Sequence, residues 1–165
     1  MLRWGILLAL AVLALDQVTK WWIVVNIDQP TAFDLNKTRI TSFFNIWHVR
    51  NSGIAFSIGN FNAGGRYAIG ILAFVVAGVL IFLGSRTHKR IVIAAYALIA
   101  GGSVGNAFDR LNPGRQTVVD FLDFHIGQAH WPSFNVADTA IVLGVALILI
   151  DMMFFADKRE ANASR

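Results

Sequence analysis

Val118-Val119-Asp120-Phe121 and, further on, Phe134-Asn135-Val136-Ala137-Asp138 bracket the connection on which the reading of this chain turns. A long apolar run precedes the first block, and another opens at Val136. Two carboxylates, Asp120 and Asp138, are therefore carried on the flanks of a loop between segments long enough to cross a bilayer. The rest of the chain reads as a frame for that pair.

Of 165 residues, 56% are hydrophobic and 15% charged, where a soluble domain carries about 25% charge. The membrane is the expected environment. The net charge of +4 does not point to nucleic acid, and no such partner is expected, because basic residues stand at the ends of apolar runs as anchors at an anionic surface would. With no cysteine, a disulfide framework, a thiolate nucleophile, Cys-ligated zinc and a lipidated thiol are all excluded.

The pattern predicts four spans in one integral-membrane domain, residues 1–165. The first, about 4–25, begins like a signal peptide, but the small-x-small pattern before Asp16 is poorly formed and apolarity resumes at Trp21. Asp16 and Lys20 lie inside it, four apart on one face, acid before base as helical pairing favours. Residues 26–66 turn polar and should form a small cap, with one or two short strands in the β-branched and aromatic stretch 40–49. A turn-like Arg50-Asn51-Ser52-Gly53-Ile54-Ala55-Phe56 and a link rich in glycine and asparagine complete it. Spans at 67–84 and 91–108 flank a basic turn of Arg86, Lys89 and Arg90, and Gly101, Gly102 and Gly105 allow close helix approach. The fourth span covers 136–155.

Four spans leave both termini on one side. Basic residues divide evenly, seven to seven, but the Arg86–Arg90 turn is the shortest and densest, which makes the termini cytoplasmic. At 1.5 Å per residue, Asp16, Lys20, Asn106, Asp109, Arg110, Asp120, Asn135 and Asp138 then fall at one depth near the outer surface. Ionisable groups in spans are costly and usually face a bundle interior, so a shared depth implies a shared site. Asp151, roughly 20 Å further along the last helix, cannot join it.

His48, His88, His125 and His130 form no His-Glu-x-x-His helix, so no metal is expected. Gly101-Gly102-Ser103-Val104-Gly105 has the G-x-S-x-G form of a nucleophile elbow, but it lies within a hydrophobic helix, where small residues have a packing reading. Asp120 and Asp138 remain. If they approach closely, repulsion and burial make them share one proton; the ionised acid can then activate water while its partner polarises an amide carbonyl. Blander readings stay open: Asn135 and Asp138 as a helix cap and first-turn acid, Asp120 as a solvated loop acid, Asp16 with Lys20 as a neutralised pair. So does a small ion-coupled transporter or channel using Asp16, Lys20 and Asp138 as a relay.

The chain resembles lipoprotein signal peptidase, or signal peptidase II, in five ordered blocks: Asp16-Gln17-Val18-Thr19-Lys20, Asn51-Ser52-Gly53-Ile54-Ala55-Phe56-Ser57, 101–110, 118–121 and 134–138. Ala107 and Phe108 vary from the family pattern but stay apolar. The resemblance implies an all-α membrane fold: a four-transmembrane-helix bundle with a small extracytoplasmic β-cradle and a short helix between spans 1 and 2. It implies an inner-membrane aspartyl endopeptidase, without cofactor, that cuts prolipoproteins just before a diacylglyceryl-modified cysteine. Asp120 and Asp138 match the catalytic dyad. Asp16, Lys20, Asn51, Gly53, Asn106, Arg110 and Asn135 match residues that shape the pocket or bind substrate. Asn106 and Arg110, one turn apart, are expected to bind main-chain oxygens of the peptide. Membrane lipids and the cyclic peptide antibiotic globomycin are further implied partners, and the chain is expected to be a monomer.

Overall fold

The computed structural model describes residues 2–31, 36–53 and 61–155. Four helices, α1 (Leu2–Asn26), α2 (Ala63–Ser85), α3 (Arg90–Leu111) and α4 (Val136–Phe155), are each long and apolar enough to cross a membrane. Their surfaces are inverted relative to a soluble bundle. On α1 the buried residues Val12, Asp16, Lys20 and Ile23 form one stripe at helical spacing, while Leu7, Leu15, Val18, Trp21 and Val25 point outward. The apolar face is the outer one because lipid can solvate it, and the polar stripe must find partners inside.

Helix α3 is the hub, packed against α1, α2 and α4. Its small residues permit this: a Cβ on Gly101 would stand 2.6 Å from the Ala9 carbonyl oxygen of α1, and one on Gly102 would collide with the Ala137 carbonyl of α4. Ser103 lies in the middle of this helix, so the G-x-S-x-G run serves close packing and no nucleophile elbow exists there. Helix α2 starts earlier than the hydropathy suggested. Asn62 caps it, its side-chain oxygen accepting from Gly65 N at 2.9 Å, so residues 63–66 are its first turn and not part of the cap.

One four-stranded antiparallel sheet, β1 (Thr38–Arg39), β2 (Phe44–Asn51), β3 (Val118–Ile126) and β4 (Ala129–His130), covers one end of the bundle in that strand order. Half of it corrects the expectation of a loop after the third span. β3 pairs with β2 from Phe44↔Phe124 to Asn51↔Val118, with a register shift between Ile46 and Val49, and turns into β4 through Gly127 at φ +60°. A left-handed first position suits glycine in a tight hairpin turn. Ile23 of α1 and Ile27, just past its end, pack with Val119 and Phe121 of β3, fixing the sheet to the bundle. No helix occurs among the described residues between α1 and α2. Ile54, Ala55, Phe56, Ser57, Gly59 and Asn60, which the expected turn and link included, lie outside the described residues.

Candidate active site

Three backbone hydrogen bonds bring the two halves of 118–138 together. Phe134 N donates to Leu122 O at 3.2 Å, and Phe121 N and Leu122 N donate to Phe134 O at 3.0 and 2.9 Å. The start of α4 is thereby laid along β3, beside Asp120. Asn135 then bridges the acids: its Nδ2 donates to Asp120 Oδ1 at 2.7 Å and its backbone N to Asp138 Oδ2 at 3.3 Å. Its Oδ1 accepts from Asp138 N at 2.9 Å. Asn135 and Asp138 therefore form a reciprocal cap on α4, and the same residues join the two carboxyl groups. The capping reading and the shared-site reading describe one arrangement.

Each remaining oxygen of the pair also meets an amide. Asn51 Nδ2 donates to Asp120 Oδ2 at 2.9 Å, and Asn106 Nδ2 to Asp138 Oδ1 at 2.7 Å. The three asparagines cannot turn around, because each side-chain oxygen faces a group that only donates. These are Gly53 N at 2.8 Å for Asn51, Lys20 Nζ at 2.9 Å for Asn106, and Asp138 N for Asn135. Asp120 is 1% exposed. Burial pushes its carboxyl up to about 7 and the charge of Asp138 adds to this, while the Asn51 and Asn135 amides and the Lys20 charge pull the other way.

Behind the acids lies a buried charged layer. Lys20, fully buried, contacts Asp16 Oδ2 and Asp109 Oδ2, both at 2.8 Å. Asp16 Oδ1 also accepts from Ala137 N at 3.0 Å, holding the first turn of α4. Arg115 pairs with the other oxygen of Asp109 at 2.8 Å. Arg110 does bind a main-chain oxygen, but of this chain: Nη2 donates to Gly53 O at 2.8 Å and Nη1 to Asn106 O at 3.3 Å. It ties β2's end to α3. The amide of Asn106 is likewise engaged within the chain, by Lys20, Asn135 and Asp138. Every residue picked from the sequence, Asp16, Lys20, Asn51, Gly53, Asn106, Arg110, Asp120, Asn135 and Asp138, belongs to this connected network.

Arg115 and Gln17 join it without having been singled out. Gln17 Nε2 donates to Gly105 O and to Asp16 Oδ2, both at 3.1 Å. Its neighbour Asp16 was the available signal, since a polar residue beside an intramembrane acid needs a partner too. Asp138 is only half-buried and lines two cavities. One, about 270 Å³, runs along α4 past Trp131, Phe134, Val142 and Leu143. The other, about 160 Å³, lies among Asn51, Ser103, Asn106, Arg110 and Ile141.

Four apolar helices around a buried polar centre, with two linked carboxyl groups at its sheet-side rim, define a multi-pass membrane protein with an acid-pair site. A family model described as signal peptidase (SPase) II matches residues 8–154. The chain belongs to the signal peptidase II family. It is 43% identical over 159 residues to a lipoprotein signal peptidase of Pseudoalteromonas atlantica, covering 94% of this chain and 91% of the relative. It is 42% identical over 162 residues to one of Psychromonas ingrahamii, covering 96% and 88%. Among solved structures it resembles a bacterial membrane enzyme determined by the in meso method at 2.3 Å, with TM-score 0.74, 31% identity and coverage of 90% of this chain and 87% of that one. A second, at 1.9 Å, gives TM-score 0.73, 29% identity and coverage of 92% and 93%. A transporter or channel finds no support among these relatives.

Proposed function

We propose that this chain is an aspartic endopeptidase that removes the signal peptide from prolipoproteins, with Asp120 and Asp138 as its catalytic dyad. The carrying observation is the Asn135 bridge, which links two acids on different elements where a half-buried carboxylate meets an apolar cavity. Family membership supports the substrate class.

On this reading the deeper acid, Asp120, 1% exposed, carries the proton the pair shares, and the half-buried Asp138 is the ionised member. Asp138 takes a proton from water as the hydroxide oxygen attacks the carbonyl carbon; Asp120 gives its proton to the carbonyl oxygen. The resulting diol collapses when Asp138 passes its proton to the leaving nitrogen and Asp120 recovers one from a diol hydroxyl. No covalent enzyme intermediate forms. Asp16, Lys20, Asn51, Gly53, Asn106, Arg110 and Asn135 hold the dyad and the adjoining strand, and fixed amides spare reorganisation during the reaction. The cavity along α4 suits an apolar signal segment. A diacylglyceryl-modified cysteine just after the scissile bond would leave its acyl chains in lipid, and globomycin-type peptides would compete for the same space.

The density of the Arg86–Arg90 turn supports cytoplasmic termini and a site near the outer leaflet of a bacterial inner membrane. The test is purified full-length protein in detergent with a diacylglyceryl prolipoprotein. Wild type should yield the shortened product, whereas Asp120→Asn and Asp138→Asn, folded by circular dichroism, should yield none. Cleavage by either variant at the wild-type rate would remove the dyad from the mechanism.

A further inference from the structure

At the end of the bundle away from the sheet, a cavity of about 500 Å³ opens between the α2–α3 turn and the last turns of α4. Its lining carries Arg86, Thr87 and Lys89 beside apolar residues, the part-buried Val92, Tyr96 and Ile148 and the exposed Leu83 and Met152. We infer that this cavity is a binding site for an anionic phospholipid, with the headgroup phosphate at Arg86 and Thr87 and an acyl chain against Leu83 and Met152.

Charge complementarity carries the assignment. The one carboxylate in the wall among the described residues, Asp151, is 5% exposed and is bridged through both oxygens by Lys89 Nζ, at 3.0 and 3.3 Å. That pair cancels the charge that would repel an anion. Arg86 is left in excess: it is exposed, forms no ion pair among the described residues, and rests over the Phe82 ring at 5.0 Å. Thr87 Oγ1 accepts from Lys89 N at 3.2 Å, which leaves the hydroxyl hydrogen to donate outward. A basic pocket between spans at a membrane boundary is where headgroups of acidic lipids bind. A free phosphate would use the basic residues but not the apolar ones. The site is separate from the dyad, since Asp151 lies roughly 20 Å along α4 from Asp138.

The test titrates the full chain in detergent with dioleoyl phosphatidylglycerol, dioleoyl phosphatidylcholine and inorganic phosphate, and reads retained ligand by native mass spectrometry. Phosphatidylglycerol should be retained about fivefold over phosphatidylcholine, the effect of one basic residue at an anionic surface. Arg86→Gln should abolish that preference. Arg3→Gln, the same charge change on an exposed residue outside the cavity wall, should keep it. Equal retention of the two lipids overturns the site. So does a preference that survives Arg86→Gln, or one lost equally in Arg3→Gln, which would mark a diffuse field. Displacement of phosphatidylglycerol by equimolar phosphate would reduce it to a simple anion contact.

Discussion

The Lys20 ammonium lies 2.9 Å from Asn106 Oδ1, and because an ammonium can only donate, this contact decides that Asp138 meets the NH2 end of the amide. A charge buried in the first helix thus acts on the dyad through one side chain. Asn106→Leu should remove the donor at Asp138 Oδ1 while preserving volume. The expected fall in kcat is roughly 100-fold or more, by analogy with loss of one preorganised donor. Cleavage of prolipoprotein followed by gel shift measures it, and wild-type turnover would show that the orientation of Asn106 is irrelevant to the chemistry.

Lys20 itself is a stability residue. Asp16 and Asp109 both contact its ammonium, and all three groups are shielded from water. Lys20→Met leaves two buried acids without their shared cation, a change expected to cost about 3–5 kcal/mol. Thermal unfolding in detergent should record a large drop in Tm. Adding Asp16→Asn to the same variant should recover part of it.

The dyad also predicts a pH limb. Asp120 is held up to about 7 by burial, helped by the charge of Asp138, so the proton it is proposed to give to the carbonyl oxygen is lost as pH rises through that value. kcat/KM should therefore fall above about pH 7. Asn51 donates to the ionised form, which lowers the pKa, so Asn51→Ala should move this limb to higher pH. The stability sign follows. Between the ordinary value of 3.8 and about 7 the folded state keeps a proton that the unfolded chain releases, so this group's contribution falls as pH rises and is flat above the window. An alkaline limb indifferent to Asn51 would detach it from Asp120.

What the sequence disclosed follows from how expensive each feature is. Asp16 and Lys20 could be assigned to the interior because charge in an apolar span must be paired, and their pairing is found at 2.8 Å. The common depth of Asp16, Asn106 and Asp138 followed from helical rise alone. The sequence of β3 reads as loop because Asp120 and Asp123, three apart, break the polar-out alternation that marks a surface strand, and the fold buries both. Gly127-Gln128 between Ile126 and Ala129 is the hairpin signal in this stretch. The partners of Arg110 were not legible, since the Gly53 carbonyl has no side-chain signature.

Glycine spacing on α3 gives a packing prediction. A Cβ at Gly102 meets the Ala137 carbonyl, which belongs to backbone and cannot rotate away, whereas one at Gly78 meets nothing within 4 Å. Gly102→Ala should therefore push α4 outward and cost about 1–3 kcal/mol, moving Asp138 with it and lowering kcat. Gly78→Ala should be neutral or stabilising by up to about 1 kcal/mol. Similar Tm values for the two variants would contradict the close approach of α3 and α4.

Asp123 is the remaining prediction and it concerns the sheet. Though 1% exposed, it ties separate parts of the sheet through one carboxylate: Asn45 Nδ2 of β2 at 2.9 Å, Lys37 Nζ just before β1 at 3.0 Å, and His130 Nδ1 of β4 at 2.7 Å. Burial alone would raise its pKa, but donors from Asn45, His130 and Lys37, with the Lys37 charge, outweigh it and hold the carboxyl below the usual 3.8. The stabilisation is therefore present above pH 3.8 and is lost as pH falls through the lower folded value. Asp123→Ala should cost about 1–3 kcal/mol, less than a sealed ion pair because Lys37 and His130 can still reach water. Amide exchange at Asn45 and Leu122 should speed up at neutral pH in this variant. In wild type it should do so only in acid. Unchanged protection would mean the strands are held by their ladder alone, with Asp123 a passenger.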